Sequence, residues 1–114
     1  MATKPRPAAE PQTPPVMTVS SDGRRASLDF QGTLDAHMVR ELEQRLADPR
    51  LTEAREWVLH MDNLTHLHLT CAYALLRVAA TRSDAVAITV RGARRNVQRT
   101  LREVGFDAVA RFQP

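Results

Sequence analysis

The residues best equipped for chemistry crowd one short stretch, "HMDNLTHLHLTC", running from His60 to Cys71. It holds His60, Asp62, His66, His68, Thr70 and Cys71. Imidazole and thiolate are the usual zinc ligands, so a metal centre is the first chemistry to weigh. His66 and His68 share a face in an extended segment, while His60 belongs to an earlier strand-like run. This spacing matches no standard structural-zinc pattern, and Asp62 adds only an exposed-loop carboxylate. No metal or other cofactor is expected. A Cys71 nucleophile activated by His68 is the second candidate. It lacks an evident oxyanion site and an orienting third group, so the chain reads as a non-enzyme. Thr70 offers a third chemistry. It stands ahead of an apolar helical run, where a hydroxyl can cap the free N–H groups of the first turn. A phosphate on that hydroxyl would meet the same donors and the positive end of the helix dipole, and would add about two negative charges.

Positioning these residues requires a scaffold, and hydrophobic periodicity supplies its outline. "VMTVS" (16–20) alternates weakly and meets the turn signal "SSDG"; "RASLDFQG" follows with Ala26, Leu28 and Phe30 on one face. Two such runs about a glycine turn read as a hairpin. "TLDAHMVRELEQRLAD" places Leu34, Met38, Leu42 and Leu46 at helical spacing, with Asp35 as N-cap and Pro49 as the stop. "EWVLHM" (56–61) is a short strand, followed by a loop over 63–70. "TCAYALLRVAATRS" carries charge only at Arg77 and Arg82, so this helix packs on both sides or lies on a broad sheet. "AVAITV" (85–90) reads as a strand covered on both faces. "ARRNVQRTLREVG" turns Val97, Leu101 and Val104 inward and ends at Gly105, and "FDAVARF" closes the chain as a strand. The order β-β-α-β-α-β-α-β predicts an α/β domain: a mixed, mostly parallel sheet, an antiparallel N-terminal hairpin strand and about three helices.

The 114 residues suffice for one core. The first fifteen, "MATKPRPAAEPQTPP", hold five prolines and no apolar run, so they read as a disordered tail ahead of a domain over 16–114. No stretch suits a secretory signal or a membrane span, and the single cysteine fits a reducing compartment; the expectation is a soluble, cytoplasmic protein. Six arginines crowd residues 91 to 111 against Glu103 and Asp107. Arg91, Arg95, Arg99 and Arg102 fall at steps of four, four and three, which reads as one stripe on the last helix. A solvated face, an acidic protein partner and nucleic acid all fit it. The chain has few aromatics and no groove-binding helical signature, which argues against nucleic acid.

At this level the chain resembles a STAS domain, the fold of bacterial anti-sigma-factor antagonists. "FQGTLDAHMVRELEQRL" is similar to that family's entry into its first helix, and "WVLHMDNLTHLHLTCAYALL" to its central strand, loop and helix. "ITVRGARRNVQRTLREVGFDAVARF" resembles its last crossover, with Gly92 and Gly105–Phe106 in place. The family's central motif is aspartate-serine-serine-glycine, whose second serine accepts a phosphoryl group. Here those positions are His68, Leu69, Thr70 and Cys71. The resemblance implies Thr70 as the candidate phosphoacceptor, within a partner-binding surface of Asp35, Asp62, His66, His68, Leu69, Thr70 and Cys71. It implies as partner an anti-sigma factor of kinase-type fold; apart from the resemblance, a weak homodimer is a further expected association, and the lack of an apolar span predicts no membrane contact. The function read from the resemblance is a bacterial partner-switching module. The alternatives are a non-phosphorylated STAS-like scaffold or constitutive binder, and a small basic nucleic-acid-binding protein.

Overall fold

Asp22 organises the first turn. Its Oδ1 accepts from the backbone N–H groups of Arg24 (3.2 Å) and Arg25 (2.9 Å), bonds that hold its carboxyl below the usual range. Gly23 follows with φ +98°, and the chain returns as an antiparallel hairpin of β1 (Met17–Ser21) and β2 (Arg25–Leu34). The computed structural model describes residues 16–82 and 86–114, so the expected tail over 1–15 lies outside the described residues. The other strands are β3 (Glu56–Leu67), β4 (Ala87–Arg91) and β5 (Ala110–Gln113). They form one sheet in the order β1-β2-β3-β4-β5, parallel throughout except for the hairpin. Four α-helices connect them: α1 (Val39–Leu46), α2 (Pro49–Glu53), α3 (Leu69–Ala80) and α4 (Arg95–Glu103).

Strand alternation sorts the two sheet faces, with Val58 the buried exception on the open one. Ala26, Leu28 and Phe30 of β2, Trp57, Leu59 and Met61 of β3, and Ile88 and Val90 of β4 are all buried. Their neighbours Asp29, Gln31, Arg91 and Ala87 are exposed, and His60 and Thr89 half-buried. The helices therefore cover one face only, and the expectation that β4 is covered on both does not hold. Its apolar run deceives because Ala87 adds hydropathy without being buried. α3 contributes Cys71, Ala72, Ala74, Leu75 and Ala79 to the core and packs against α1 and α4. Its small residues let this central helix approach its neighbours closely.

Local chemistry extends one further expectation and corrects another. The first helix does stop ahead of Pro49, as expected, and Pro49 also starts a second one. α1 ends at Leu46, and Asp48 caps α2 through Arg50 N–H (2.9 Å), with Pro49 at the first helical position, where it forfeits no bond. The Arg50 guanidinium pairs with both Asp48 oxygens and lowers that carboxyl to about 2. Asp35 precedes a 3-10 turn (Ala36–Met38), and its side chain makes no capping bond. Thr33 and Leu34, counted above with the helix, belong to β2.

Trp57 latches the helical layer to the sheet. Its buried indole N–H donates to the Leu51 carbonyl (3.0 Å). The Arg82 guanidinium, 5.7 Å from the Trp57 ring, donates to the carbonyls of Leu51 (2.9 Å) and Ala54 (3.0 Å). One cation thus satisfies the carbonyl end of α2 from the far end of α3.

Leu75→Ala should destabilise the domain by roughly 2–5 kcal/mol in chemical denaturation, because a buried leucine leaves a cavity on truncation. Gly92 has φ +71°, and a Cβ there would stand 2.8 Å from Asp62 Cβ, whereas Gly23 faces open space. Gly23→Ala should therefore cost about 1 kcal/mol, the left-handed term alone, and Gly92→Ala distinctly more.

Candidate functional site

β3 does not end with its apolar run. It continues to Leu67, because β2 continues beside it: Gln31 pairs with Asn63, Gly32 with Leu64, Thr33 with His66 and Leu34 with Leu67. The register shifts twice along the way, between Asp29 and Gln31 and between Gly32 and Thr33. β4 accompanies β3 only as far as His60. Most of the expected 63–70 loop is thus a two-stranded extension, Asn63 to Leu67, that runs on past the last pairing with β4. Its side chains hold it together, with Thr65 Oγ1 bonded to Gly32 O (2.9 Å) and Asn96 of α4 donating to Thr65 O (3.0 Å).

This extension delivers the start of α3. The His68 N–H donates to Leu34 O (2.8 Å), and the His68 imidazole caps the helix by accepting the Thr70 N–H at Nδ1 (3.1 Å). Because Nδ1 is an acceptor, its ring hydrogen sits on Nε2. The Thr70 hydroxyl, 2.8 Å from the same Nδ1, is therefore the donor in that contact. Thr70 is the second helical residue and not the cap. A histidine side chain, one bond longer to its Nδ1 acceptor than threonine's to its hydroxyl, reaches past Leu69 to the Thr70 N–H. Sequence reasoning named the hydroxyl because threonine is the commoner cap.

The remaining site residues separate into three groups. Asp35 is brought beside α3 by the Cys71 thiol, which donates to the Asp35 carbonyl (3.3 Å). Cys71 itself is fully buried, so it lines no binding surface; burial, then the carboxylates of Asp35 and Glu43, push its thiol up. That state is the reverse of an activated nucleophile. His66 is exposed on the extension. Asp62 lies about 17 Å before Leu67 along the strand, beside Gly92 at the β4–α4 turn, and does not join the start of α3. His60 points from the open face, in register with Asp29 and Arg91. Among the described residues no three His, Cys, Asp or Glu side chains converge on a metal position.

What the sequence reading missed is the ridge along α3. Leu69 (41% exposed) and Tyr73 (45%) are the large hydrophobic side chains left in solvent among the described residues. They stand one turn apart, flanking exposed Thr70, with Leu76 half-buried on the next turn. A signal did exist: a helix apolar nearly all round cannot hide every side against a sheet covered on one face. Arg77 ends the ridge, bonded to Glu43 of α1 at 2.6 Å.

The family model described as "Mlab, STAS domain" matches residues 17–112. The chain belongs to the STAS-domain family. Two solved structures share its fold. The anti-sigma factor antagonist SpoIIAA in its unphosphorylated form is 11% identical, with a TM-score of 0.69 over 86% of this chain and 88% of that one. An anti-sigma factor antagonist from Mycobacterium paratuberculosis is 14% identical, with a TM-score of 0.73 over 86% and 84%. No curated protein matches the sequence. In this STAS domain no helix among the described residues is long and apolar enough to cross a membrane.

The capping geometry separates three substitutions. His68→Ala should cost about 1 kcal/mol, the usual value of a lost N-cap, and His68→Asp should retain most of the stability. Thr70→Ala should stay within about 0.5 kcal/mol, as an exposed helical position gains propensity when it loses a hydroxyl. Thermal melts of the three variants check the order.

Proposed function

We propose that this STAS domain is a protein-interaction module of the anti-sigma-factor-antagonist kind, working by binding and not by catalysis. The observation that carries the reading is the Leu69–Tyr73 ridge. Nearly every other large apolar side chain among the described residues is withdrawn from water, yet these two stand exposed on either side of Thr70. A rigid aromatic beside an aliphatic residue, ringed by polar groups, is the composition of an interface anchor. The family membership and the antagonist fold of the two solved structures support the same kind of partner, an anti-sigma factor with a kinase-type fold.

Two regulatory modes compete for the same position. In the first, phosphorylation of Thr70 would set about two negative charges between Leu69 and Tyr73 and release the partner by desolvation cost. In the second, the domain binds constitutively. The His68–Thr70 contact favours the second mode. Nδ1 already holds the hydroxyl that a kinase would need, at 2.8 Å.

Partner capture from lysate of the source cells, with mass spectrometry, tests the reading. Wild type should retain a protein partner, and Leu69→Asp and Tyr73→Ala should each weaken retention at least tenfold, about 1.4 kcal/mol. Unchanged retention by both would move the interface elsewhere. Thr70→Glu should also lose the partner, since an unpaired charge would be buried in the contact. Incubating the captured complex with ATP decides between the modes: phosphothreonine at 70 supports switching, and intact binding without it supports a constitutive module.

A further inference from the structure

The arginines of the C-terminal third occupy a corner that the ridge does not explain. Arg95, Arg99 and Arg102 form one exposed face of α4, opposite buried Val97 and Leu101. Arg91 is not part of that stripe; it ends β4. Arg91, Arg94 and Arg111 are exposed nearby in sequence. Elsewhere among the described residues four of eight arginines pair with carboxylates: Arg25 with Glu56, Arg45 with Glu41, Arg50 with Asp48 and Arg77 with Glu43. Among the described residues none of the six C-terminal arginines makes an ion pair, although Glu103 stands in the same groove as Arg95, Arg99 and Arg102.

This charged face adjoins a free sheet edge. The Arg102 guanidinium lies 5.1 Å from the centre of the Phe112 ring, which ties the arginine face of α4 to β5. β5 pairs with β4 on one side, and among the described residues nothing pairs with the other. An exposed edge offers backbone N–H and C=O groups to an incoming strand. Side chains of such a strand alternate between two faces. One set would lie beside Phe112 and Arg102, and the other beside Arg111, which pairs in register with Thr89 on the open face.

We propose that this corner is a second docking surface, and that its occupant is an extended acidic segment of a partner protein, added to β5 as a further strand with carboxylates on Arg102, Arg99 and Arg111. Guanidinium forks match carboxylates in paired hydrogen bonds, and main-chain pairing to the edge selects an extended peptide over other polyanions. Single-stranded nucleic acid would want exposed aromatic platforms, and Phe112 lies half-buried beneath Arg102. A lipid surface would want apolar side chains among the arginines, where α4 presents Gln98 and Glu103. The chain's own first fifteen residues carry Lys4 and Arg6 against Glu10 and have the wrong charge.

The test uses the full chain and four probes: a labelled peptide of about ten residues repeating Glu-Glu-Val-Val, so that both faces of the added strand carry carboxylates, its Lys-for-Glu counterpart, an oligothymidylate of similar length, and phosphatidylserine vesicles. The Glu–Val peptide should bind saturably and slow hydrogen exchange at Ala110–Gln113 amides. Arg102→Glu and Arg111→Glu should each weaken it about tenfold or more. Arg102→Gln, which avoids a new charge on the helix, should weaken it less but measurably. Leu69→Asp should leave it unchanged, so failure of the α3 ridge and failure of this corner are read separately. Tighter binding of oligothymidylate or vesicles, peptide binding without exchange protection in β5, or indifference to charge reversal would each overturn the proposal.

Discussion

β3 runs parallel to β2 from Glu56 to Leu67, while β4 leaves it at His60. That unequal pairing places everything that follows. A parallel ladder must satisfy its backbone groups to the end, so β3 cannot turn into its helix until β2 stops supplying partners at Leu34. The helix therefore starts beyond the last pairing of β3 with β4. The His68 amide closes the ladder on Leu34, and the Cys71 thiol finds the next carbonyl, that of Asp35. The exposure of Leu69 and Thr70 follows from this geometry. They sit at the first turn of a helix whose next turns are drawn down into the core by Ala72, Ala74 and Leu75.

The covering of one sheet face only divides the molecule by task. On the helical side, apolar residues from three parallel strands meet α3 and α4, and the Trp57–Arg82 latch fixes the far end of α3. A helix held at its base by a buried indole and at its tip by a capping imidazole has little freedom left to lose on binding. Its ridge is thus pre-organised, which lowers the entropic cost of association. On the open side, the row Thr18, Asp29, His60, Arg91 and Gln113 crosses the sheet with polar groups throughout. Such a face needs no cover.

The sequence declared the architecture where burial follows a regular period. Ala26, Leu28 and Phe30 alternate, Val97, Leu101 and Val104 step helically, and each set is buried as its spacing requires. Gly105, with φ +87°, ends α4 as its type predicts. The reading failed where the period breaks. In β3 the buried residues after Leu59 are Met61, Leu64 and Leu67, a step of two and then two of three, because the ladder shifts register there. A strand with irregularities loses its alternation and looks like a loop. The histidine cap was hidden for a different reason: local capping preferences favour the hydroxyl, and only the tertiary bond from His68 to Leu34 makes the preceding residue the boundary. Cys71 lay beyond sequence reach as well, since its burial depends on where Asp35 turns.

An imidazole and not a carboxylate at the cap position has consequences for charge at the α3 start. A carboxylate cap would carry a negative charge next to the hydroxyl and favour the helix dipole directly. Imidazole caps as a neutral acceptor, and only while Nδ1 keeps its lone pair for the Thr70 N–H. The ridge therefore presents two apolar side chains around a neutral polar pair, His68 and Thr70, in place of a permanent charge. A partner that covers it desolvates a hydroxyl already bonded at 2.8 Å, which costs less than stripping water from a carboxylate. Neutral capping and apolar exposure thus act in the same direction: both make the start of α3 easier to bury against another protein.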